Sequence, residues 1–156
     1  MKLLTSALVA TSLLLAPSLV IAKEAKSEKQ AKKVTHHRQA LFSLIGSNMG
    51  KLGAMAKGKI PLDGQVVKTN AKRINQLSHM ISDYSKVNTS GYKLKTDALP
   101  AIWQKPKQYN QRIMQLTKAS KSLKEVALSG DEKAIKKAIR AVGKACGSCH
   151  DDFTKD

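Results

Sequence analysis

Residues 131–150 read DEKAIKKAIRAVGKACGSCH. Asp131 follows Ser129-Gly130, a chain break, and has a side chain able to cap a helix. Beyond it Ile135, Ala138, Ile139, Val142, Ala145 and Cys149 recur at three- and four-residue steps, the spacing that lines one face of a helix. The stretch therefore predicts an amphipathic helix. Its C-terminal end carries both cysteines of the chain and, directly after them, a histidine.

Working back from that helix, the same pattern recurs three times. Tyr109, Ile113, Leu116, Ser120, Leu123 and Ala127 mark the helix before it. Val66, Val67, Ala71, Ile74, Leu77, Ile81 and Tyr84 mark another, capped by Asp63 and ending near Val87. Val34, Leu41, Leu44, Ile45, Asn48, Met49, Leu52 and Met55 mark the first, stopped by Gly58 and Pro61. Residues 88–106, with Gly91, Pro100, Trp103 and Pro106, are too long for a plain turn and predict an ordered loop. Residues 23–33 are polar throughout, a solvated tail or the exposed start of a helix. Four stripes with short, long and short connections predict an all-α fold, an antiparallel four-helix bundle, over a three-helix domain with one segment outside.

Composition narrows the function classes. The chain has 156 residues and a formal charge of +17, from 28 Lys+Arg against 11 Asp+Glu. Aromatics make up only 4%, fewer than a protein that stacks nucleic-acid bases needs. With 42% apolar residues, wholesale disorder is excluded, and the lack of alternating β-branched runs speaks against a β-sandwich. Residues 1–22, MKLLTSALVATSLLLAPSLVIA, read as a signal peptide cleaved near Ala22. Its apolar part is short and interrupted by Thr11, Ser12 and Pro17, which argues against a membrane span. Cleavage removes one cation, Lys2, and leaves residues 23–156 as a single exported domain, periplasmic in a bacterium.

Cys146-Gly147-Ser148-Cys149-His150 is a C-x-x-C-H sequence, the attachment motif of a c-type haem. Two thioethers on one helical turn tether the macrocycle, and the adjacent imidazole can reach the iron through one ring nitrogen while the other donates a hydrogen bond. Three rivals fit less well. A redox dithiol belongs at a helix start, where the helix dipole lowers the thiol pKa, whereas these cysteines lie near a helix end. A zinc site needs two more ligands, and His36, His37 and His79 lack partner spacing. A disulfide here closes too small a ring to stabilise much. One motif implies one covalent haem c, with Cys146 and Cys149 as attachment points and His150 as the iron ligand.

A C-x-x-C-H six residues from the end of a four-helix chain resembles the cytochrome c-prime family. His37-Arg38-Gln39-Ala40-Leu41-Phe42 resembles its distal-helix segment, continued by Ile45-Gly46-Ser47-Asn48-Met49-Gly50. Pro100-Ala101-Ile102-Trp103 is similar to its P-x-I-W element, and Phe153 stands three residues after the motif histidine as in the family. The resemblance implies that Arg38 lies near the haem propionates. It also separates two kinds of protein by one residue. Low-spin members carry an iron-binding methionine four residues after that arginine, where this chain has Phe42, a ring without a lone pair. The high-spin kind is therefore implied, with His150 as sole protein axial ligand.

At about 100° per residue, Arg38, Ile45 and Met49 lie within roughly 60° of Phe42 on the first helix. Met49 stands about 10.5 Å farther along the axis, too far to replace Phe42 as a ligand. His37 is turned about 140° away, toward solvent or a neighbour, and His79 is expected at the surface or an interface. A pocket of Phe42, Ile45 and Leu41 offers no hydrogen-bond donor, which disfavours dioxygen more than nitric oxide or carbon monoxide.

The expectation is a haem protein that binds nitric oxide or carbon monoxide, or transfers single electrons to a periplasmic redox partner. The alternative is a dedicated, low-spin-like electron carrier in which gas binding is incidental. A peroxidase is not expected, because Phe42 supplies neither a base nor a cation and Arg38 is engaged elsewhere. Lys133, Lys136, Lys137, Arg140 and Lys144, on the helix with the motif, either steer an acidic partner or form a solvated face. Nucleic acid is not an expected partner, and the resemblance implies a homodimer through the first two helices. One departure stands out: many relatives carry a basic residue four positions after the motif histidine, where this chain has Thr154.

Overall fold

A computed structural model describes residues 22–155. The leader expected over residues 1–22 lies, apart from Ala22, outside the described residues. In chain order the elements are β1 (Lys23–Glu24), α1 (Glu28–Ala56), α2 (Gly64–Ser85), β2 (Val87–Asn88), α3 (Ala101–Gln104), α4 (Pro106–Val126) and α5 (Glu132–Phe153).

The helix boundaries follow from local chemistry. Ser27 accepts a hydrogen bond from the Gln30 amide and so starts α1 inside the polar segment 23–33. Asp63 accepts from the amides of Gln65 and Val66, and Asp131 from that of Ala134, so both expected caps open their helices. Gly58 and Gly130, at φ of 69° and 77°, turn the chain after α1 and α4. Pro106 does not end the long loop but starts α4, where its missing amide hydrogen costs nothing. Two features went unforeseen: the one-turn α3 inside the loop, and a two-residue parallel ladder in which Lys23 faces Val87 and Glu24 faces Asn88.

The four long helices pack in a ring, α1 on α2, α2 on α4, α4 on α5 and α5 on α1. Leu52, Val67, Ile74, Leu123, Ile139 and Val142 are almost fully buried and come from all four. Burial of each such side chain contributes on the order of 1.5–3 kcal/mol before entropy is set against it. The α2–α4 seam is close because its residues are small. Ser78 and Ser120 are 0% exposed. The Asn75 amide donates to the Thr117 carbonyl at 2.9 Å, and the Ser78 and Thr117 hydroxyls share a hydrogen bond at 2.8 Å, so these buried polar groups are paired. At one end of the bundle a Cβ on Gly64 would stand 2.5 Å from the Ala127 carbonyl oxygen, so only glycine lets α2 start there. The α1–α5 seam is the loosest of the four.

The long loop is ordered, as expected, because both of its ends are tied. The Leu99 amide donates to the Phe153 carbonyl at 2.9 Å and the Lys155 amide to that of Asp97 at 2.8 Å. Trp103 Nε1 donates to the Ser85 carbonyl at 2.9 Å. The Ser85 and Tyr109 hydroxyls share a hydrogen bond at 3.0 Å, and the Tyr109 ring meets Phe153 edge-on with centroids 5.0 Å apart. This cluster fastens α2, α3, α4 and α5 together beneath the motif.

Burial pushes the Tyr109 hydroxyl up to about 12, since the phenolate is poorly solvated there. A raised value means that the folded state holds its proton more tightly than the unfolded chain. The stabilisation is complete below about pH 10 and is lost as pH rises toward 12, by an amount on the order of 2–3 kcal/mol. Urea unfolding of the wild type should therefore show a steeper loss of stability between pH 10 and 12 than the Tyr109→Phe variant. Parallel curves for the two proteins would contradict the assignment.

Candidate haem site between α1 and α5

The loose seam opens into a cavity of about 670 Å³. From α1 it is lined by Phe42, Ile45 and Met49, and from α5 by Cys146, Cys149 and His150. The structure thus brings six of the seven sequence-predicted site residues to one space. The seventh, Arg38, lines a smaller adjoining cavity of about 160 Å³ that shares Phe42, Cys149 and His150 with the first. Leu41, expected beside Phe42, is instead part of the bundle core and lines neither cavity. One residue of helix rotates it about 100° from Phe42, which turns it away from the gap.

Each wall has a local cause. Met49 is half-buried, and its Cε lies 3.7 Å from where a Cβ on Gly143 would stand, so it reaches across to α5. Gly46, Gly50 and Gly53, whose importance was not read from the sequence, also line the cavity. They stand about 40°, 80° and 20° from Phe42 around α1. A Cβ on any of the three would meet nothing within 4 Å, so the space they leave belongs to the cavity and not to a neighbouring helix. Each mid-helix glycine costs roughly 1 kcal/mol against alanine. Three on one face was the available signal that this face keeps room for something large.

The chemistry of the wall suits two tethered sulfurs. Burial pushes the Cys149 thiol up to about 11 and moves that of Cys146 upward too. This is the opposite of the low-pKa thiol that a redox dithiol needs. Among the described residues no group of three or more His, Cys, Asp or Glu could hold a metal ion, so the zinc alternative has no ligand set. His36, His37 and His79 are exposed, and His37 faces the Tyr84 ring edge-on at 6.1 Å. Thr154 ends α5, its hydroxyl donating to the His150 carbonyl at 3.0 Å. Arg112, another residue missed from sequence, lines the large cavity and donates through Nε to Asp152 at 2.7 Å. That hydrogen bond holds the Asp152 carboxyl below the usual carboxylate range.

Arg38 is 2% exposed, and desolvation lowers its pKa. Its guanidinium carbon lies 5.1 Å from the centroid of the Trp103 ring. Nη2 donates to the hydroxyls of Thr35 at 3.5 Å and Thr89 at 3.3 Å, while the buried Nη1 has no partner. A buried cation with an unused donor calls for an anion. An apolar cavity with a glycine floor, two thiols and an imidazole on one wall, and a cation short of an anion beside it fits a haem: a flat apolar ring, two vinyl attachment points, an iron and carboxylate side groups.

Filling the glycine face separates this use of the cavity from a packing defect. Gly50→Leu should lower the ratio of haem absorbance to protein in the purified chain severalfold while leaving the helical content of the protein intact. An unchanged ratio would show that the haem does not need that face.

Comparison with known proteins agrees with this geometry. The family model described as Cytochrome C' matches residues 33–154. Cytochrome c-554 of Cereibacter sphaeroides is 33% identical over 124 residues, 78% of this chain and 80% of that protein. The solved cytochrome c prime of Shewanella frigidimarina is 33% identical with a TM-score of 0.72, over 85% of this chain and 99% of that one. A nitric oxide complex of the L16A mutant of cytochrome c prime from Alcaligenes xylosoxidans is 25% identical with a TM-score of 0.71, over 81% and 97%. The chain belongs to the cytochrome c' family, as a four-helix c-type haem protein that carries one covalent haem c.

Proposed function

We propose that this is an exported, periplasmic haem protein of the high-spin, five-coordinate kind, which binds nitric oxide and carbon monoxide and exchanges single electrons. The observation that carries this reading is the pairing of Phe42 on the α1 wall with His150 on the α5 wall of one cavity. Export rests on the composition of residues 1–22.

Bound in the cavity, the haem supplies an iron that takes a diatomic ligand and cycles between two oxidation states. Cys146 and Cys149 would tether it and His150 would bind its iron from the α5 wall, with Phe42, Ile45 and Met49 on the α1 wall. These three exclude water and offer no proton donor. A ligand that gathers negative charge, as dioxygen does, gains nothing from such a pocket, whereas nitric oxide and carbon monoxide need little help. The nitric oxide complex of the Alcaligenes xylosoxidans protein supports the same ligand here. Phe42, Ile45 and Met49 supply neither an acid nor a base, which favours a binder and carrier over an enzyme.

Lys57, Arg112 and Arg140 also line the large cavity and come from or adjoin three different helices, α1, α4 and α5. Lys57 and Arg140, both exposed, present positive charge to an acidic redox partner, whereas Arg112 is already paired with Asp152. Leu44 on α1 and Met80 on α2, 54% and 39% exposed, leave apolar surface for pairing with a second copy through those helices. The dedicated-carrier alternative needs a sixth ligand, and Met49, about 10.5 Å along α1 from Phe42, does not stand in for one.

The test is an anaerobic titration of the ferrous protein followed by absorption. Saturable spectral changes are expected with nitric oxide and with carbon monoxide, and no stable complex with dioxygen. A long-lived dioxygen complex, or a spectrum indifferent to nitric oxide, would overturn the reading.

A further inference from the structure

Arg38 is more tightly directed than its place beside the cavity requires. Its guanidinium sits over the Trp103 ring, and the hydrogen bonds of Nη2 hold its orientation there. Thr35 lies one turn earlier on the same helix and moves with Arg38. Thr89 is the independent anchor. It is 3% exposed, 51 residues away in sequence, and enters from the loop after β2.

Thr89 is itself braced from the N-terminal end of the domain. The Lys23 amide donates to the Lys86 carbonyl at 3.2 Å and the Ala25 amide to that of Asn88 at 2.9 Å. The Asn88 side-chain amide donates to Glu24 Oε1 at 2.7 Å. Tyr92, whose amide donates to the Thr89 carbonyl at 3.2 Å, reaches back with its hydroxyl to the Ala25 carbonyl at 3.1 Å. Residues 23–25 thus form a strap across both sides of Thr89. Ala25 is 8% exposed although its neighbours are polar, so the strap is seated and not merely adjacent.

We infer that Thr89 is a positioning residue for Arg38, and that the strap of residues 23–25 holds Thr89 in place so that the free Nη1 donor is aimed at a carboxylate of the bound haem. This rests on the haem reading above. The strap thereby acts on the iron from outside the cavity. A guanidinium held near the haem favours the reduced, less positive state, so loosening its anchor lowers the reduction potential.

The experiment is a spectroelectrochemical titration of the haem-loaded protein at neutral pH, with helical content as a folding control. Arg38→Gln sets the full downward shift of the midpoint. Thr89→Val, which keeps the shape but loses the acceptor, and deletion of residues 23–25 are each expected to give part of that shift in the same direction. Thr89→Ser is expected to restore the wild-type midpoint. Where the deletion unfolds the chain, Tyr92→Phe removes a single strap hydrogen bond and is expected to lower the midpoint slightly. Wild-type midpoints for Thr89→Val and the strap variants, beside a shifted Arg38→Gln, would overturn the inference while leaving the haem reading intact. A wild-type midpoint for Arg38→Gln itself would also overturn the inference, because Arg38 would then face no haem carboxylate, while the haem reading, which rests on Cys146, Cys149 and His150, would stand.

Discussion

The structure depends on one constraint: α5 must deliver two sulfurs and an imidazole to a gap that α1 leaves open. A four-helix ring ordinarily closes all of its seams. Here closure is concentrated in the others, most visibly between α2 and α4, where Ser78 and Ser120 allow close approach and their hydroxyls are paired. The α1–α5 seam is kept wide by residues that decline to fill it, Gly46, Gly50 and Gly53 on one side and Gly143 on the other. Stability is placed where the haem is absent, and room is placed where it binds.

The same constraint explains the polar arrangement around the gap. A buried Arg38 without a complete set of partners is unfavourable in a chain alone and becomes favourable beside an anionic group. Trp103, fixed by its bond to Ser85, serves the tertiary lock and the guanidinium at once. The net charge of +17, the most conspicuous number in the composition, is by contrast a property of the exterior. Part of that charge meets the site, where Lys57, Arg112 and Arg140 line the large cavity.

Much of this was legible in the sequence because it is local. Apolar residues at helical spacing, Asp63 and Asp131 as caps, and a C-x-x-C-H at the end of an amphipathic stretch each need only a few neighbouring residues to be read. What escaped was set by distant partners. Nothing in Lys23-Glu24 indicates a strand until Val87-Asn88 is beside it, and Thr89 gains its meaning from Arg38. Leu41 was misplaced because it sits about 100° around α1 from Phe42: here Phe42 took the cavity and Leu41 the core. The glycines were readable, since three on one helical face carry a propensity cost that some gain must offset.

The central claim is that the haem iron has one protein ligand, His150, and that Phe42 leaves the other side without one. Electron paramagnetic resonance of the ferric protein at neutral pH tests it most directly. An axial high-spin signal is predicted. A rhombic low-spin signal, showing a second strong protein ligand, would contradict the account.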